Sequence, residues 1–347
     1  MSPMPASLLE PAAIAMSERK YRHVITGGAG FIGSHLTETL LARGEQVAIV
    51  DNLRHSQTEW LRRIRSHPCL QFHELDVRRS ARLRRILAED DIVWHLAANT
   101  DMEIGAQSTR VDVQHGLLAT HGVLEAMLAS GARKLLFASS GAVYGDIARP
   151  PAGEHYGPML PVSVYGACKV AAEALINAYC TLFELQAWMF RFGNVLGARM
   201  SHGVIYDFIH KLQRDATELE ILGDGTAEKN YILVEEVIDG MLFAWQHTTP
   251  CCEVFNLGTG STTRVTDIAN IVCQEMQLPH VRRRFTGGKR GWPGDQPQVF
   301  MDVTKMCRLG WSARHTSTEA VRIATRRYLG KADQQEITFE EAASRHA

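Results

Sequence analysis

The chain has 347 residues, and its content of 45% hydrophobic and 22% charged residues is ordinary for a globular protein with a sizeable core. Its 37 basic and 38 acidic side chains leave a net charge of -1, which gives no reason to expect a nucleic-acid or membrane partner. The 7 cysteines form no CxxC pair and no Cys/His metal spacing, so we expect no metal site and a reduced, cytoplasmic setting. No segment has the roughly eighteen consecutive apolar residues of a transmembrane helix.

Both ends of the chain are expected to be tails. Residues 1–20 lack a basic stretch at their start, and Pro and Glu interrupt their apolar part, so a disordered tail is favoured over a secretory signal. Residues 331–347 are polar and are expected to form a loose tail as well.

Strand and helix patterns alternate through the first half of the chain. Short apolar runs predict strands at 23–26, 46–51, 70–76, 91–98, 134–140 and 186–194. Helical patterns lie between them at 32–43, 114–130 and 165–184. This alternation indicates βαβ units, and the nearly continuous apolar character of the strands favours a parallel sheet that helices cover on both faces.

The rhythm of the pattern changes after about residue 195. Helices are expected at 203–214, 235–247, 265–277 and 316–329, strands at 231–234 and 254–258, and a basic, Gly-rich loop at 282–295. We therefore predict an α/β protein in which residues 21–195 form a doubly wound domain and residues 196–330 form a smaller mixed lobe. Later strands, at about 230–258, are expected to return to the first sheet.

A glycine-rich turn follows the first predicted strand and opens the first helix. It contains Gly27-x-x-Gly30-x-x-Gly33, a spacing that lets the turn close, lets backbone approach a pyrophosphate and places the helix N-terminus at the phosphates. Asp51 ends the second strand, where its carboxylate can bind an adenosine ribose and would repel a 2′-phosphate. These features predict a Rossmann-type domain that binds NAD in preference to NADP, although the nearby Arg54 weakens that preference.

The stretch "YGACK" places Tyr165 and Lys169 four residues apart in a predicted helix. The spacing puts both side chains on one face, one turn apart. On its own the pair is compatible with either a catalytic role or a surface position.

A series of further motifs matches one family in the same order along the chain. They are "ELDVR" (74–78), "HLAA" (95–98), "SSGAVYG" (139–145), "YGACK" (165–169), "RFGNVLG" (191–197), "LGDGTAEKNYILVEEV" (222–237) and "FNLGTG" (255–260). With the glycine-rich turn, they resemble the extended, nucleotide-sugar-modifying branch of the short-chain dehydrogenase/reductase superfamily over about residues 22–330. Within that branch the sequence is most similar to the UDP-glucose 4-epimerase group.

The resemblance implies an NAD site and a nucleotide-sugar site on opposite sides of the catalytic residues. The NAD site is expected to contain Gly27, Gly30, Phe31, Ile32, Gly33, Asp51, Asn52, His55, Ser56, Asp76, Val77, Leu96, Ala97, Ala98, Tyr165, Lys169 and Phe192. The substrate site is expected to contain Thr100, Ser140, Gly141, Asn194, Val204, Lys229, Tyr231, Arg290 and Asp295.

The resemblance also gives Ser140, Tyr165 and Lys169 catalytic roles. Tyr165 would be the general acid/base, because a lysine one turn away and the positive nicotinamide of NAD favour its phenolate, and Ser140 would share the proton. The next two residues are Gly141 and Ala142, where the 4,6-dehydratases of the branch carry an Asp-Glu pair. The expected reaction is therefore epimerisation at C4 of a nucleotide-diphosphate sugar. The alternatives are a net oxidoreductase such as a 4-ketosugar reductase, another sugar-nucleotide-modifying member of the branch without 4,6-dehydratase chemistry, and a non-enzymatic dinucleotide sensor.

The chain departs from the family pattern at several positions of the substrate site. Lys229 stands where the family usually has an Arg, and Trp292-Pro293 stands where an Arg-x-Gly-Asp element would begin. Gly116 replaces a usual Asn, which suggests an altered pocket. The family also implies a homodimer formed through the helices near 114–130 and 165–184.

Overall fold

The structure is a computed structural model that describes residues 21–54 and 58–331. The predicted tail at 1–20, all but the first residue of the predicted tail at 331–347, and the predicted cofactor contacts His55 and Ser56 lie outside the described residues.

The described strands and helices alternate along the first half of the chain. The strands are β1 (Arg22–Thr26), β2 (Gln46–Asp51), β3 (Leu70–Glu74), β4 (Ile92–His95), β5 (Lys134–Ala138), β6 (Gln186–Phe192), β7 (Asn194–Leu196), β8 (Glu218–Ile221), β9 (Glu228–Lys229), β10 (Tyr231–Leu233), β11 (Cys252–Leu257), β12 (Thr263–Arg264), β13 (Arg282–Phe285) and β14 (Gln298–Val299). The helices are α1 (Phe31–Ala42), α2 (Thr58–Ile64), α3 (Ser80–Leu83), α4 (Met102–Gln107), α5 (Thr109–Asp112), α6 (Leu118–Ser130), α7 (Val164–Phe183), α8 (Val204–Arg214), α9 (Val234–His247), α10 (Val265–Glu275), α11 (Thr304–Leu309) and α12 (Ser317–Tyr328).

Seven parallel strands form the main sheet in the order β11-β6-β5-β4-β1-β2-β3. Its central strands are apolar on both faces; in β2, for example, every residue from Val47 to Asp51 is buried. One apolar cluster packs around Trp94 and Trp188 on one face, and a second packs around Val93 and Met189 on the other. This architecture confirms the predicted doubly wound parallel sheet, because continuous apolar strands need cover on both sides.

The chain crosses between the main sheet and a second group of elements after β6. Strand β11 lies beside β6 in the main sheet, whereas β10 pairs with β7 outside it. A separate apolar core gathers α8, α10 and α12 around Ile205, Ile209, Ile268 and Val321.

Two local predictions need correction. Residues 282–285 are a strand, β13, and not part of a loop, because β13 pairs in parallel with β8 and its arginines form ion pairs with Glu218 and Glu220. The helix predicted at 114–130 is α-helical from Leu118, and a π-helical turn precedes it at Val113–Leu117. Such turns are uncommon and often lie at functional sites. Among the described residues, no helix is both long enough and apolar enough to span a membrane.

Candidate active site

The glycine-rich turn between β1 and α1 has the tight geometry that its sequence predicts. Gly27 has φ +71°, a left-handed conformation that favours glycine. A Cβ on Gly33 would lie 2.2 Å from the carbonyl oxygen of Gly27, so the helix approaches the turn more closely than any side chain allows. Phe31 and Ile32 follow Gly30 in the first turn of α1 and are half-buried.

Asp51 lies at the carboxyl end of β2, next to this turn. Its carboxylate accepts hydrogen bonds from the backbone N–H groups of Ala29 at 3.0 Å and Leu53 at 2.8 Å. These bonds fix a buried carboxylate beside the turn, in the position where an adenosine ribose binds in Rossmann folds. Asn52 is half-buried next to it, and the exposed Arg54 places Nη1 3.3 Å from Nε2 of His115.

The next strands of the sheet supply the rest of the predicted cofactor site. Asp76 follows β3 and forms an ion pair with Arg78 at 2.7 Å, which lowers the pKa of its carboxyl to about 2. Val77 is buried, and the residues that follow β4, Leu96 to Ala98, are half-buried. A Cβ on Gly27 would lie 2.7 Å from the backbone nitrogen of Ala97, so the turn and the end of β4 are in close contact.

Ser140 and α7 meet at the carboxyl end of β5. Ser163 caps α7 by accepting a hydrogen bond from the N–H of Gly166, so Tyr165 lies in the first turn of the helix. A Cβ on Gly166 would lie 2.7 Å from the carbonyl oxygen of Ala142, and this close approach holds the start of α7, which carries Tyr165, against the segment that follows Ser140. Lys169, one turn later, donates a 2.6 Å hydrogen bond to the carbonyl oxygen of Ala138, the last residue of β5.

Burial controls the proton affinity of both predicted catalytic groups. It raises the pKa of Tyr165 to about 12; the hydrogen bond with Ser140 lowers that pKa and the charge of Asp112 raises it. Burial also lowers the pKa of Lys169 to about 8, and the charge of Glu173 opposes this shift. The expected depression of the tyrosine pKa is therefore not produced by the side chains of the chain itself, since desolvation outweighs the hydrogen bond.

A cavity of about 120 Å³ opens beside Ser140 and Tyr165. Its walls contain Gly141, Phe192, Asn194, Lys229 and Asp295 from the predicted set. They also contain six residues that sequence reasoning did not assign to the site: Ala142, Gly193, Trp292, Gly294, Gln296 and Val299. The last four come from the 286–300 segment, where irregular backbone and a two-residue strand offer no periodic signal. For Trp292 the available signal was its position where the family's Arg-x-Gly-Asp element would begin.

Four predicted substrate residues lie outside the walls of this cavity. Thr100 is exposed beyond β4, and Val204 begins α8. Tyr231 is buried in the core of the second lobe, where its backbone N–H donates to Ser317 Oγ. Arg290 donates to Asp146 at 2.5 Å and to the backbone carbonyl of Asp295.

Both cations of the predicted substrate site, Lys229 and Arg290, have carboxylate partners. Lys229 Nζ lies 2.6 Å from Asp295 Oδ1 and 5.0 Å from the centre of the Trp292 ring, and Arg290 pairs with Asp146. Asp295 Oδ2 accepts a further bond from the N–H of Gly291 at 3.0 Å. A diphosphate at this position would therefore compete with these carboxylates for the cations.

The residues fit a dinucleotide at one side of the catalytic group and a second ligand at the other. The close-packed glycine turn leaves backbone N–H groups for a pyrophosphate, Asp51 offers a carboxylate for a ribose, and Lys169 reaches the end of β5 between them. The fold and this site together define a short-chain dehydrogenase/reductase with an added substrate lobe.

Comparison with known proteins identifies the family. The family model described as the NAD dependent epimerase/dehydratase family matches residues 23–258. UDP-glucose 4-epimerase 2 of Oryza sativa subsp. japonica is 31% identical over 86% of this chain and 79% of its own length. The crystal structure of a UDP-galactose 4-epimerase is 35% identical in sequence and superposes with a TM-score of 0.80. The crystal structure of Thermus thermophilus UDP-glucose 4-epimerase in complex with NAD is 28% identical and superposes with a TM-score of 0.78. Each match covers 90% of this chain and 100% of the other chain.

The chain therefore belongs to the NAD dependent epimerase/dehydratase family, and its cofactor is NAD. The predicted resemblance to this branch of the superfamily is confirmed.

Proposed function

We propose that the protein is a nucleotide-sugar 4-epimerase, with a UDP-sugar as its substrate. The observation that carries this proposal is the set of proton-transfer groups in the active-site cavity. Gly141 and Ala142 have no acid/base function, and the carboxylate that lines the cavity, Asp295, has one oxygen bonded to Lys229 and the other to Gly291. Tyr165 with Ser140 is left as the acid/base pair, which suffices for oxidation and reduction at one carbon but not for loss of a hydroxyl group.

In the proposed reaction Tyr165 takes the proton of the sugar 4-hydroxyl as C4 is oxidised to a ketone. NAD, which the glycine turn and Asp51 would hold, would supply the hydride acceptor and donor for C4. Ser140, which lines the same cavity as Tyr165, shares the proton between the sugar oxygen and Tyr165. Lys169 places a positive charge 5.7 Å from the centre of the Tyr165 ring and thereby favours the phenolate. Reprotonation by Tyr165 then completes the cycle.

The relatives support a UDP-sugar, because all three described above are named as epimerases of UDP-glucose or UDP-galactose. The relatives' names do not decide which sugar this chain uses, because Lys229 and Trp292, which depart from the family pattern, both line the cavity. We propose a hexose of the glucose/galactose type as the first substrate to test.

The decisive experiment incubates the purified protein with UDP-glucose or UDP-galactose and no added cofactor, and follows the 4-epimer by chromatography. We expect interconversion of the two sugars, and a loss of at least about a thousandfold in kcat for Tyr165→Phe with NAD still bound. The Tyr328→Phe variant changes a half-buried tyrosine that packs on the second apolar core and does not line the cavity, so it is expected to keep full activity. Stoichiometric consumption of added NADH without epimer formation would instead identify a 4-ketosugar reductase.

We further propose that the protein forms a homodimer through α6 and α7. Each helix presents a large exposed apolar side chain, Leu118 at 49% and Leu182 at 70% exposure. Light scattering should give about twice the chain mass for the wild type and the chain mass for Leu182→Glu. Leu309→Glu, on α11 away from these helices, is the matched control and should leave the mass unchanged.

A further inference from the structure

One stretch of the chain is far more basic than the rest. Residues 58–85 contain eight arginines and three acidic residues, a net charge of +5, in a chain whose total is -1. The stretch includes α2, the edge strand β3 and α3, and none of the roles proposed for the active site uses its arginines.

Most of these arginines have no carboxylate partner. Arg62 pairs with Glu59, and Arg78 pairs with Asp76. The other six are exposed and form no ion pair with any residue that the structure describes: Arg63, Arg65, Arg79, Arg82, Arg84 and Arg85. Arg63 and Arg65 belong to the α2 side of the sheet, and the other four lie around α3 on the opposite side. Unpaired arginines close to one another attract anions, and their planar guanidinium groups match phosphate oxygens.

The edge strand and these arginines enclose a cleft of about 450 Å³, which we call the β3-edge cleft. Phe72, His73 and Glu74 line one wall, and Arg82, Arg85 and Ile86 line the other. Arg82 and Arg85 are three residues apart, so their side chains lie side by side.

The cleft also holds a polar atom without a partner. Nε2 of His73 is buried and makes no hydrogen bond with any described residue. A buried polar atom of this kind is unfavourable unless a ligand or water satisfies it. Burial lowers the pKa of His73, so its imidazole is neutral at pH 7 and can bind a hydroxyl or a phosphate oxygen.

We propose that the β3-edge cleft binds a small phosphate ester of a polyhydroxylated carrier, such as a sugar phosphate or a nucleotide. Arg82 and Arg85 contact the phosphate, and Glu74 accepts hydrogen bonds from the carrier hydroxyl groups. The concave shape and the volume suit a small ligand. The exposed carboxylate of Glu74 interrupts the positive surface and disfavours a continuous polyanion such as a nucleic acid. The cleft shares no lining residue with the active-site cavity, so it is a second site.

Calorimetric titration of the NAD-containing protein with glucose 1-phosphate and with inorganic pyrophosphate tests this proposal. Both probes should bind, and Arg82→Gln/Arg85→Gln should weaken both by at least about tenfold. Arg214→Gln/Arg308→Gln, which removes two exposed arginines elsewhere, should change neither affinity by more than about twofold. Equal weakening in the two double variants would show general charge attraction and overturn the proposal, as would an unaltered affinity in Arg82→Gln/Arg85→Gln.

Glu74→Ala separates the two halves of the proposed ligand. Removal of its negative charge should strengthen pyrophosphate binding, whereas loss of the hydroxyl acceptor should weaken glucose 1-phosphate binding. A change in the same direction for both probes would contradict the assigned role of Glu74. Sedimentation with phosphatidylcholine vesicles that contain phosphatidylinositol 4-phosphate tests whether the ligand is a lipid headgroup. A protein that binds these vesicles and, in the separate titration, also binds soluble glucose 1-phosphate would support the proposed chemistry on a lipid headgroup. A protein that binds the vesicles but not soluble glucose 1-phosphate would overturn the small-ligand site.

Discussion

Glu173 and Arg191 form a buried ion pair behind the catalytic residues, with Arg191 Nη2 2.6 Å from Glu173 Oε2. The same carboxylate accepts a 2.5 Å hydrogen bond from the hydroxyl of Ser139, the neighbour of Ser140. Glu173 lies one turn after Lys169 on α7, and Lys169 donates to Ala138. Helix α7 is thus joined to two successive residues at the end of β5, which holds Ser140 against Tyr165.

This pair leads to a prediction for the pH dependence of activity. Burial lowers the pKa of Lys169 to about 8, and the negative charge of Glu173 raises it. Glu173→Gln removes this negative charge, so the pKa of Lys169 falls further and the lysine releases its proton at a lower pH. We expect the alkaline limb of the profile of kcat/KM against pH to move to lower pH, because Lys169 must be protonated to favour the Tyr165 phenolate.

A second variant separates this effect from damage to the fold. Glu173→Gln leaves Arg191 buried without its carboxylate, which costs about 3–5 kcal/mol of stability. Glu173→Gln/Arg191→Met removes both charges and should recover much of that stability. Because the charges that act on Lys169 are those of Glu173 and Cys168, the double variant should keep the displaced alkaline limb. A wild-type profile in the double variant would refute the electrostatic role of Glu173.

Gly33 provides a test of the cofactor turn. In Gly33→Ala the new Cβ would lie 2.2 Å from the carbonyl oxygen of Gly27 and must displace backbone. We expect a loss of about 1–3 kcal/mol in the free energy of unfolding, and protein that purifies without NAD. Gly153→Ala is the matched control, because a Cβ there meets no atom within 4 Å. Retention of NAD by Gly33→Ala would contradict the assignment of this turn to the pyrophosphate.

The cofactor side of the site was predictable because its signals are local in sequence. The glycine turn and Asp51 each follow a strand whose apolar run is easy to recognise, and the order of the parallel strands brings their carboxyl ends together. Tyr165 and Lys169 are one helical turn apart, so their relation needs only helix geometry.

The substrate side depends on contacts between distant segments. Lys229 meets Asp295 across 66 residues, and the loop that carries Trp292 has no periodic pattern. Sequence reasoning identified both members of the ion pair as substrate contacts, but their bond with each other appears only in three dimensions. The placement of Tyr231 in a buried core, rather than at the cavity wall, likewise depends on how α12 packs on β10.

The ion pair between Lys229 and Asp295 should contribute measurable coupling energy. The two side chains are 14% and 3% exposed, so removal of one partner leaves a largely desolvated charge. A double-mutant cycle with Lys229→Met and Asp295→Asn, measured by chemical denaturation, should give a coupling of at least about 1 kcal/mol. The pair of Arg62 and Glu59 is the control, because it has a similar 2.7 Å distance but 69% and 71% exposure. Its coupling should be below about 0.5 kcal/mol, and equal coupling for the two pairs would show that burial does not strengthen the contact.

His95 should make the protein sensitive to mild acid. It is buried, its Nδ1 lies 2.7 Å from Thr26 Oγ1 and its Nε2 3.1 Å from Thr120 Oγ1, and burial lowers its pKa to about 3. The unfolded chain binds a proton near pH 6.5 and the folded chain does not, so this contribution to stability is present above pH 6.5 and is lost as the pH falls. Between pH 6.5 and pH 4 the loss should be about 3 kcal/mol, from about 1.4 kcal/mol for each pH unit.

Chemical denaturation at a series of pH values gives the slope of the unfolding free energy against pH. This slope can be compared between variants even if one of them is less stable at every pH. His95→Asn keeps groups that can bond to a threonine but cannot bind the proton, so its unfolding free energy should fall less steeply below pH 6.5. His155→Asn removes an exposed histidine and should keep the wild-type slope. If His95→Asn also kept that slope, the main source of the acid sensitivity would have to be another buried group. The first candidate is then His23, because burial lowers its pKa to about 4.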